Sequence, residues 1–251
     1  MARQKGIIKV KGTIGDMTFY RSKDGYIVKE KTSLDGNRIA TDPAFQRTRE
    51  NGSEFGRAGK AGKLLRNAIR NILQSAKDSR VVSRLTTELL KVIKADATST
   101  RGLRNVLDGE TEMMEGFDFN INAKLGTSLY APYSATINRV TGELTVNIPG
   151  FIPAEMIAAP AGTTHFKIVC AGSELDFENE TFVTDTNETP MVEWNNTATA
   201  IFDLVNTVTA NSTHPLFLML GIQFYQEVNG IKYSLKNDTF NALAIVKVAG
   251  V

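Results

Sequence analysis

A run rich in glycine and lysine is the first stretch whose residue types and spacing could do chemistry. Residues 56–63 read GRAGKAGK, whereas a phosphate-binding loop needs a glycine, four residues, Gly-Lys and then a hydroxyl residue for magnesium. Arg57 stands where the first glycine should be, and Leu64 replaces the hydroxyl residue. Because no strand is predicted before this run either, the sequence does not predict nucleotide hydrolysis.

The other side chains with catalytic or metal-binding potential are scattered. His165 and His214 belong to no ligand-spaced cluster, so both are expected to be structural or surface residues. Cys170 alternates with Phe166 and Ile168, a pattern that favours a buried small hydrophobe. No serine or cysteine carries a nucleophile signature. We therefore predict no catalytic residue, no metal site, no cofactor, no small-molecule substrate and no enzymatic activity.

An acidic ladder occupies every second position from 174 to 180, at Glu174, Asp176, Glu178 and Glu180. Calcium binding is the functional interpretation, but the spacing matches no EF-hand loop. A solvated strand face or loop is the favoured interpretation.

Charge divides the 251 residues into two opposite halves. Residues 1–104 hold 23 Lys and Arg against 10 Asp and Glu, a net charge of +13. Residues 105–251 hold 6 against 17, a net charge of −11. This asymmetry predicts either an anionic partner for the first half or a complementary partner for each half.

Membrane insertion and secretion are not predicted. The chain contains no run of 18 apolar residues, and its first residues lack the apolar segment and cleavage site of a secretory signal. We expect a cytoplasmic protein, or one released within an assembled particle.

Residues 41–77 are predicted to be largely helical, with Asp42 as the cap and Pro43 in the first turn. One side is apolar at helical spacing and comprises Leu65, Ala68, Ile69, Ile72 and Ala76. The opposite side is a predicted assembly or anion-binding face and comprises Lys63, Arg66, Arg70 and Lys77.

Three glycines, Gly52, Gly56 and Gly59, project onto that same basic side if the segment is helical. A glycine inside a helix costs about 1 kcal/mol relative to alanine. Two explanations stay open at this point: close approach of another backbone, or a bent or broken helix.

The rest of the first half predicts a hairpin and further helices. Residues 16–20 are expected to pair with 26–31 around Asp24-Gly25, and Asp35-Gly36-Asn37 ends that pattern. A helix over 79–95 has the apolar stripe Val82, Leu85, Leu89 and Val92, and a short helix is predicted around 103–107. The hairpin could cover the open side of this small bundle.

From Phe117 onward the chain predicts strands. Alternation begins at Phe117, Phe119 and Ile121, and turn signals stand at Thr141-Gly142 and Asn229-Gly230. We predict an α+β fold with an N-terminal β-hairpin and small helical bundle, followed by an antiparallel immunoglobulin-like β-sandwich. The predicted domains are a basic one over 1–115 and an acidic one over 116–251.

The runs KGTIGDMTFYRSKDGY and DPAFQRTRENGSEFGRAGKAGKLLR resemble a group of uncharacterised proteins common in Bacteroidota. The resemblance covers mainly residues 6–109. It implies a short hairpin, an Arg-rich helical stretch, a β-rich remainder and a bacterial or phage-like origin, and it transfers no activity.

These observations favour assembly over catalysis. The leading hypothesis is a structural subunit of a homo-oligomeric filament, tube or particle shell, in which the basic N-terminal region of one copy contacts the acidic sandwich of the next. The alternative is a nucleic-acid-associated protein that binds phosphates through the basic helices. A carbohydrate- or peptide-binding sandwich is a third hypothesis, but it lacks an aromatic platform, since Trp194 is expected in the core.

Overall fold

The structure is a computed structural model that describes residues 2–31 and 36–251. Asp35 of the predicted break lies outside the described residues. The fold is 27% helix and 34% strand with antiparallel sheets, which makes it α+β as predicted. The immunoglobulin-like arrangement stays a prediction.

The α-helices are α1 (Gly36–Thr41), α2 (Gln46–Ala68), α3 (Arg70–Leu73), α4 (Val81–Ala95), α5 (Leu125–Ser128) and α6 (Pro153–Met156). Short 3-10 helices span Pro43–Phe45, Thr111–Met114 and Leu235–Asp238. The first strands are β1 (Ala2–Arg3), β2 (Gly12–Ile14), β3 (Met17–Ser22), β4 (Gly25–Glu30), β5 (Ser134–Asn138) and β6 (Glu143–Ile148). The remaining strands are β7 (His165–Asp176), β8 (Thr181–Glu188), β9 (Val192–Glu193), β10 (Phe202–Thr207), β11 (Leu216–Val228), β12 (Ile231–Ser234) and β13 (Ala242–Ala249).

The chain divides into two compact units, Met1–Arg49 and Glu50–Val251. The predicted domain boundary near residue 115 stays a prediction. Within the second unit, the buried sides of α2, α3 and α4 share one hydrophobic cluster with β7, β11 and β13. The helices predicted to form a separate bundle thus cover a sheet of the second unit.

The first unit is a four-stranded antiparallel sheet in the order β1-β4-β3-β2, followed by α1. The predicted hairpin is confirmed, since Met17 pairs with Glu30 and Ser22 with Gly25. Gly25 has a φ of 110°, which favours glycine at the end of this turn. The predicted cap is confirmed as well: Asp42 accepts a hydrogen bond from Ala44 N at 2.9 Å, and Pro43 follows it.

The apolar side predicted for residues 65–76 is confirmed, because all five of its members are buried. The prediction for α4 was wrong at its first position. Val82 is 51% exposed, whereas Val81 is buried. Val81 lies four residues before Leu85, so it continues the row through Leu85 and Leu89, and Val82 is turned away by about 100°.

No helix forms over 103–107, where the structure has turns and bends instead. Side chains from other parts of the chain instead form hydrogen bonds with backbone N–H and C=O groups of this segment. Glu54 accepts Gly102 N at 2.8 Å, and Arg57 Nη1 donates to Gly102 O at 2.6 Å and to Arg104 O at 3.1 Å. Asp96 is buried and accepts from Thr98 N, Ser99 N and Asn105 N.

The second unit contains two sheets. The larger has the order β12-β11-β7-β8, with β13 also on β11 and β9 also on β7, and the smaller has the order β10-β6-β5. Strands β7 and β11 are buried on both faces. Val169 and Phe217 belong to the cluster on the helix side, whereas Ile168 and Leu218 belong to a second cluster with Leu144 of the smaller sheet.

The two turn signals in the β-rich part are confirmed. Gly142 has a φ of 77° between β5 and β6, and Asn229 and Gly230 have φ of 55° and 78° between β11 and β12. The predicted strand from Phe117 to Ile121 is reduced to one bridge, between Asp118 and Ala244. Phe117 and Phe119 are still buried.

Replacing Asp96 with asparagine should lower the free energy of unfolding by about 1–3 kcal/mol at pH 7, since one acceptor oxygen becomes a donor facing backbone N–H groups. Burial alone would raise the pKa of Asp96, but the hydrogen bonds from Ser99, Asn105 and Thr98 outweigh it and hold that pKa well below its ordinary value. Urea unfolding of Asp96→Asn measures the change.

Because the folded-state pKa is depressed, this stabilisation is complete above the unfolded value of about 4 and is lost as pH falls through the folded value. The difference between the wild type and Asp96→Asn should therefore shrink only below about pH 4. Glu88→Gln, at an exposed pair with Lys91, serves as the control and should change stability by less than about 1 kcal/mol. An equal loss in both variants would contradict the role of Asp96.

Candidate anion-binding and assembly surfaces

The structure brings three of the four predicted basic residues together. Arg66, Arg70 and Lys77 line a cavity of about 340 Å³, which we call the basic pocket. Its other lining residues are Asn67, Leu73, Gln74, Val81 and Val82. Lys63 is exposed on the same side of α2 but does not line the pocket. The pocket lies between the end of α2, α3 and the start of α4, and no carboxylate is among its lining residues.

The cations of the basic pocket have no acidic partner among the described residues, since none of their nitrogens lies within 4 Å of a carboxylate oxygen. Asp78 is next to Lys77 in the chain; it pairs with Arg84 and accepts Ile121 N at 2.9 Å and Arg80 N, at the start of α4, at 2.5 Å. Burial would raise the pKa of Asp78, but these bonds together lower it. The carboxylate is therefore ionised at neutral pH, and it does not line the pocket.

Arg66 is the most enclosed of the three cations. Its Nη1 atom is buried and has no hydrogen-bond partner in the described part of the chain. This atom lies over Gly62, 3.5 Å from where a Cβ would stand, beside Leu85 and Leu89 of α4. Burial lowers the pKa of the Arg66 guanidinium from its ordinary value. A buried charged donor without a partner is costly. An anion beside the Arg66 side chain would offset part of that cost by charge attraction.

The start of α4 adds further donors. Val81 and Val82 of its first turn line the pocket, and Arg80 at the N-cap makes no side-chain capping hydrogen bond. The first amide groups of a helix have no intrahelical acceptor, and the helix dipole is positive at this end. Backbone and side chains therefore present positive charge to the same cavity.

The three predicted glycines lie within the continuous helix α2. Apart from chain neighbours and the helix's own backbone, no atom of the described residues lies within 4 Å of the Cβ that Gly52, Gly56 or Gly59 would carry. The close contact made within the chain is at Gly62, where Leu89 Cδ1 would lie 3.3 Å from such a Cβ. Close approach to the three predicted glycines by another copy stays a prediction.

Gly56→Ala should raise the free energy of unfolding by about 1 kcal/mol, because the helical backbone accepts alanine and the space beside it is open. Gly62→Ala should gain less than Gly56→Ala or lose stability, since Leu89 would have to shift. Chemical denaturation of the two variants measures the difference. Equal gains would show that the contact at Gly62 imposes no constraint.

One face of the four-stranded sheet of the first unit carries a group of apolar side chains, bordered by Glu30 and Arg21. Directly paired residues of antiparallel strands lie on the same face, and the register places Ile14 beside Met17 and Phe19 beside Val28. Ile14 is 62% exposed and Met17 is 53% exposed. Among the described residues of this unit, 2–31 and 36–49, none is buried. We call the surface formed by Ile14, Met17, Phe19 and Val28 the N-terminal apolar face.

The acidic charge of residues 105–251 is largely uncompensated by neighbouring cations. Of its 17 carboxylates, three lie within 4 Å of a Lys or Arg nitrogen in the described chain: Glu115, Glu180 and Glu188. The others include Glu193 and Asp203 on exposed strand positions, where asparagine side chains donate to them. The β-rich part therefore presents negative charge that a basic partner can contact.

The solvated interpretation of the acidic ladder was wrong for its first two members. Glu174 and Asp176 are buried. Glu174 accepts Ser212 Oγ at 2.6 Å and Thr209 N at 3.2 Å, which fixes the loop before β11. Asp176 accepts the backbone amides of Glu178 and Asn179 and so organises the turn into β8. Sequence spacing could not show these bonds, because the partners of Glu174 lie more than 30 residues away.

The remaining candidates for chemistry are dispersed through the second unit. Cys170 is buried as predicted, and burial raises the pKa of its thiol to about 12. His165 is also buried, with Nδ1 3.0 Å from Thr164 Oγ1, whereas His214 lies near Asp176. In the described part of the chain, no three His, Cys, Asp or Glu side chains are grouped as metal ligands.

Comparison of the chain with protein-family models, with curated proteins and with solved structures yields no match. No helix in the described residues combines the length and the hydropathy needed to cross a membrane.

Proposed function

We propose that this protein is a structural, non-enzymatic subunit of a homo-oligomeric assembly such as a filament, tube or particle shell. The observation that carries the proposal is the N-terminal apolar face. A four-stranded sheet without a buried residue lacks the core that normally stabilises such a sheet. Covering its apolar side chains would contribute about 25 cal/mol for each Å² removed from water.

The occupant that we propose for this face is the acidic β-rich part of a second copy. Residues 1–49 carry 11 Lys and Arg against 5 Asp and Glu, a net charge of +6, whereas residues 105–251 carry −11. Complementary charge favours such an encounter and sets its orientation. We retain the immunoglobulin-like sandwich as the proposed class of this β-rich part, and the cytoplasm as the proposed site of synthesis.

Such a contact joins two different surfaces of the same chain. A head-to-tail contact of this kind forms a ring where the rotation between copies closes, and a filament where it does not. The edge strands β1 and β2 offer a second means of contact between copies, because an unpaired strand edge can form backbone hydrogen bonds with a sheet of a neighbouring copy.

Ile14→Glu should weaken assembly at least about tenfold, since it places a carboxylate in the middle of an apolar contact. Thr13→Glu is the matched control: it is the adjacent residue of β2, its side chain lies on the opposite face, and the change in net charge is the same. Sedimentation velocity and negative-stain electron microscopy of the full chain measure assembly against the 27.5 kDa monomer.

The expected result is a wild type and a Thr13→Glu variant that form particles, with Ile14→Glu shifted towards the monomer. A wild type that stays monomeric at high concentration would overturn the proposal. Assemblies unaffected by Ile14→Glu would show that the N-terminal apolar face does not form the contact between copies.

A nucleic-acid-associated role is the second candidate, and the basic pocket is the observation that favours it. Three cations without acidic partners can neutralise phosphates, and such binding weakens steeply with salt. We rank it below assembly because no aromatic residue lines the pocket to stack a base.

A further inference from the structure

We propose that the basic pocket is a binding site for a single phosphate group, held by Arg66, Arg70, Lys77 and the first turn of α4. This inference is independent of assembly, because the pocket lies wholly within the second unit and includes none of the residues of the N-terminal apolar face.

The first argument is electrostatic. Arg66, Arg70 and Lys77 are brought to one cavity without a carboxylate in its lining, so the three charges repel one another. Most other cations of the second unit that border a cavity have acidic neighbours: Lys60 lies 3.2 Å from Glu180, and Lys167 lies 2.9 Å from Glu188. A bound anion would remove the repulsion in the basic pocket.

The second argument concerns the number and geometry of donors. Each guanidinium offers a planar fork of N–H groups that matches two oxygens of a phosphate, and a lysine ammonium adds a point charge. The first turn of α4, from which Val81 and Val82 line the pocket, adds backbone amides of the type that commonly bind phosphates. Asn67 and Gln74 supply further polar groups at the rim. Chloride or a carboxylate would use only part of this donor set.

The third argument is the state of Arg66. Its buried Nη1 has no partner in the described chain, and the surroundings of this atom are Gly62, Leu85 and Leu89. The apolar wall strengthens any hydrogen bond made to this guanidinium, because the local dielectric constant is lower than that of water. Because Nη1 itself is covered, a phosphate in the pocket would stabilise this guanidinium by charge attraction and through the part of the side chain that borders the pocket.

The test is calorimetric titration of the full chain with inorganic phosphate in a chloride buffer. Arg66→Gln and Arg70→Gln should each weaken phosphate binding roughly tenfold or more, which is the usual effect of losing a charge-assisted hydrogen bond. Lys94→Gln is the control with the same change in charge, since Lys94 is exposed near the other end of α4, roughly 18 Å along the helix from Val82. It should leave the affinity unchanged.

Circular dichroism melting establishes that each variant is folded. Arg66→Lys provides a second variant at this position, which retains the positive charge but lacks the planar guanidinium group. Saturable binding that is lost in Arg66→Gln, weakened in Arg66→Lys and kept in Lys94→Gln supports the site. Absence of saturable phosphate binding to the wild type, or equal weakening in all three variants, overturns it.

A second titration distinguishes a nucleic-acid backbone from a free or terminal phosphate as the source of the phosphate group. A single-stranded oligonucleotide is titrated with and without a 5′ phosphate, and inorganic phosphate is used as the competitor. Binding that requires both Arg66 and the internal phosphates supports the pocket as a contact to a nucleic-acid backbone. Binding that requires Arg66 and the terminal phosphate supports a free or terminal phosphate group.

Discussion

Two-sided burial of the central strands is the constraint on which the second unit depends. Strands β7 and β11 pair along ten residues, from His165 to Glu174 and from Leu216 to Tyr225. Their side chains alternate between a cluster beneath the helices and a cluster beneath the smaller sheet. Neither face can be left open, because each strand carries large apolar residues in both directions. Helices and small sheet are therefore both required to complete one unit.

The same constraint explains the position of the basic pocket. Packing of α2 and α4 over the sheet turns the apolar side of each helix inward, and Gly62 lets Leu89 approach α2 closely. Arg66, one helical turn after Gly62, and the later residues Arg70 and Lys77 are then left at the mouth of the groove between the helices. The pocket is a consequence of how the helices must lie to bury Leu65, Leu85 and Leu89.

The first unit differs from the second in how little of its side-chain surface is buried. Its sheet has well-defined register but, in the described residues, no buried side chain. Backbone pairing alone stabilises such a sheet weakly, since the conformational entropy lost on ordering each residue is about 1–2 kcal/mol. The exposed Ile14 and Met17 would be stabilised by a partner that covers them. We propose that this lack of buried side chains favours assembly. The opposite net charges of the two halves of the chain would set the orientation of the contact between copies.

Local signals were sufficient for much of the fold. Asp24-Gly25, Thr141-Gly142 and Asn229-Gly230 predicted three hairpin turns, and helical spacing predicted the buried side of residues 65–76, because turn geometry and amphipathic periodicity depend on near neighbours in the chain. Burial of Glu174, the turns at 103–107, and the division at Arg49 depend on partners far away in sequence. The sequence by itself thus determined these three turns and the buried side of residues 65–76. Only the tertiary structure decided that Arg66, Arg70 and Lys77, but not Lys63, converge on one pocket, because that grouping requires α4 to pack beside α2.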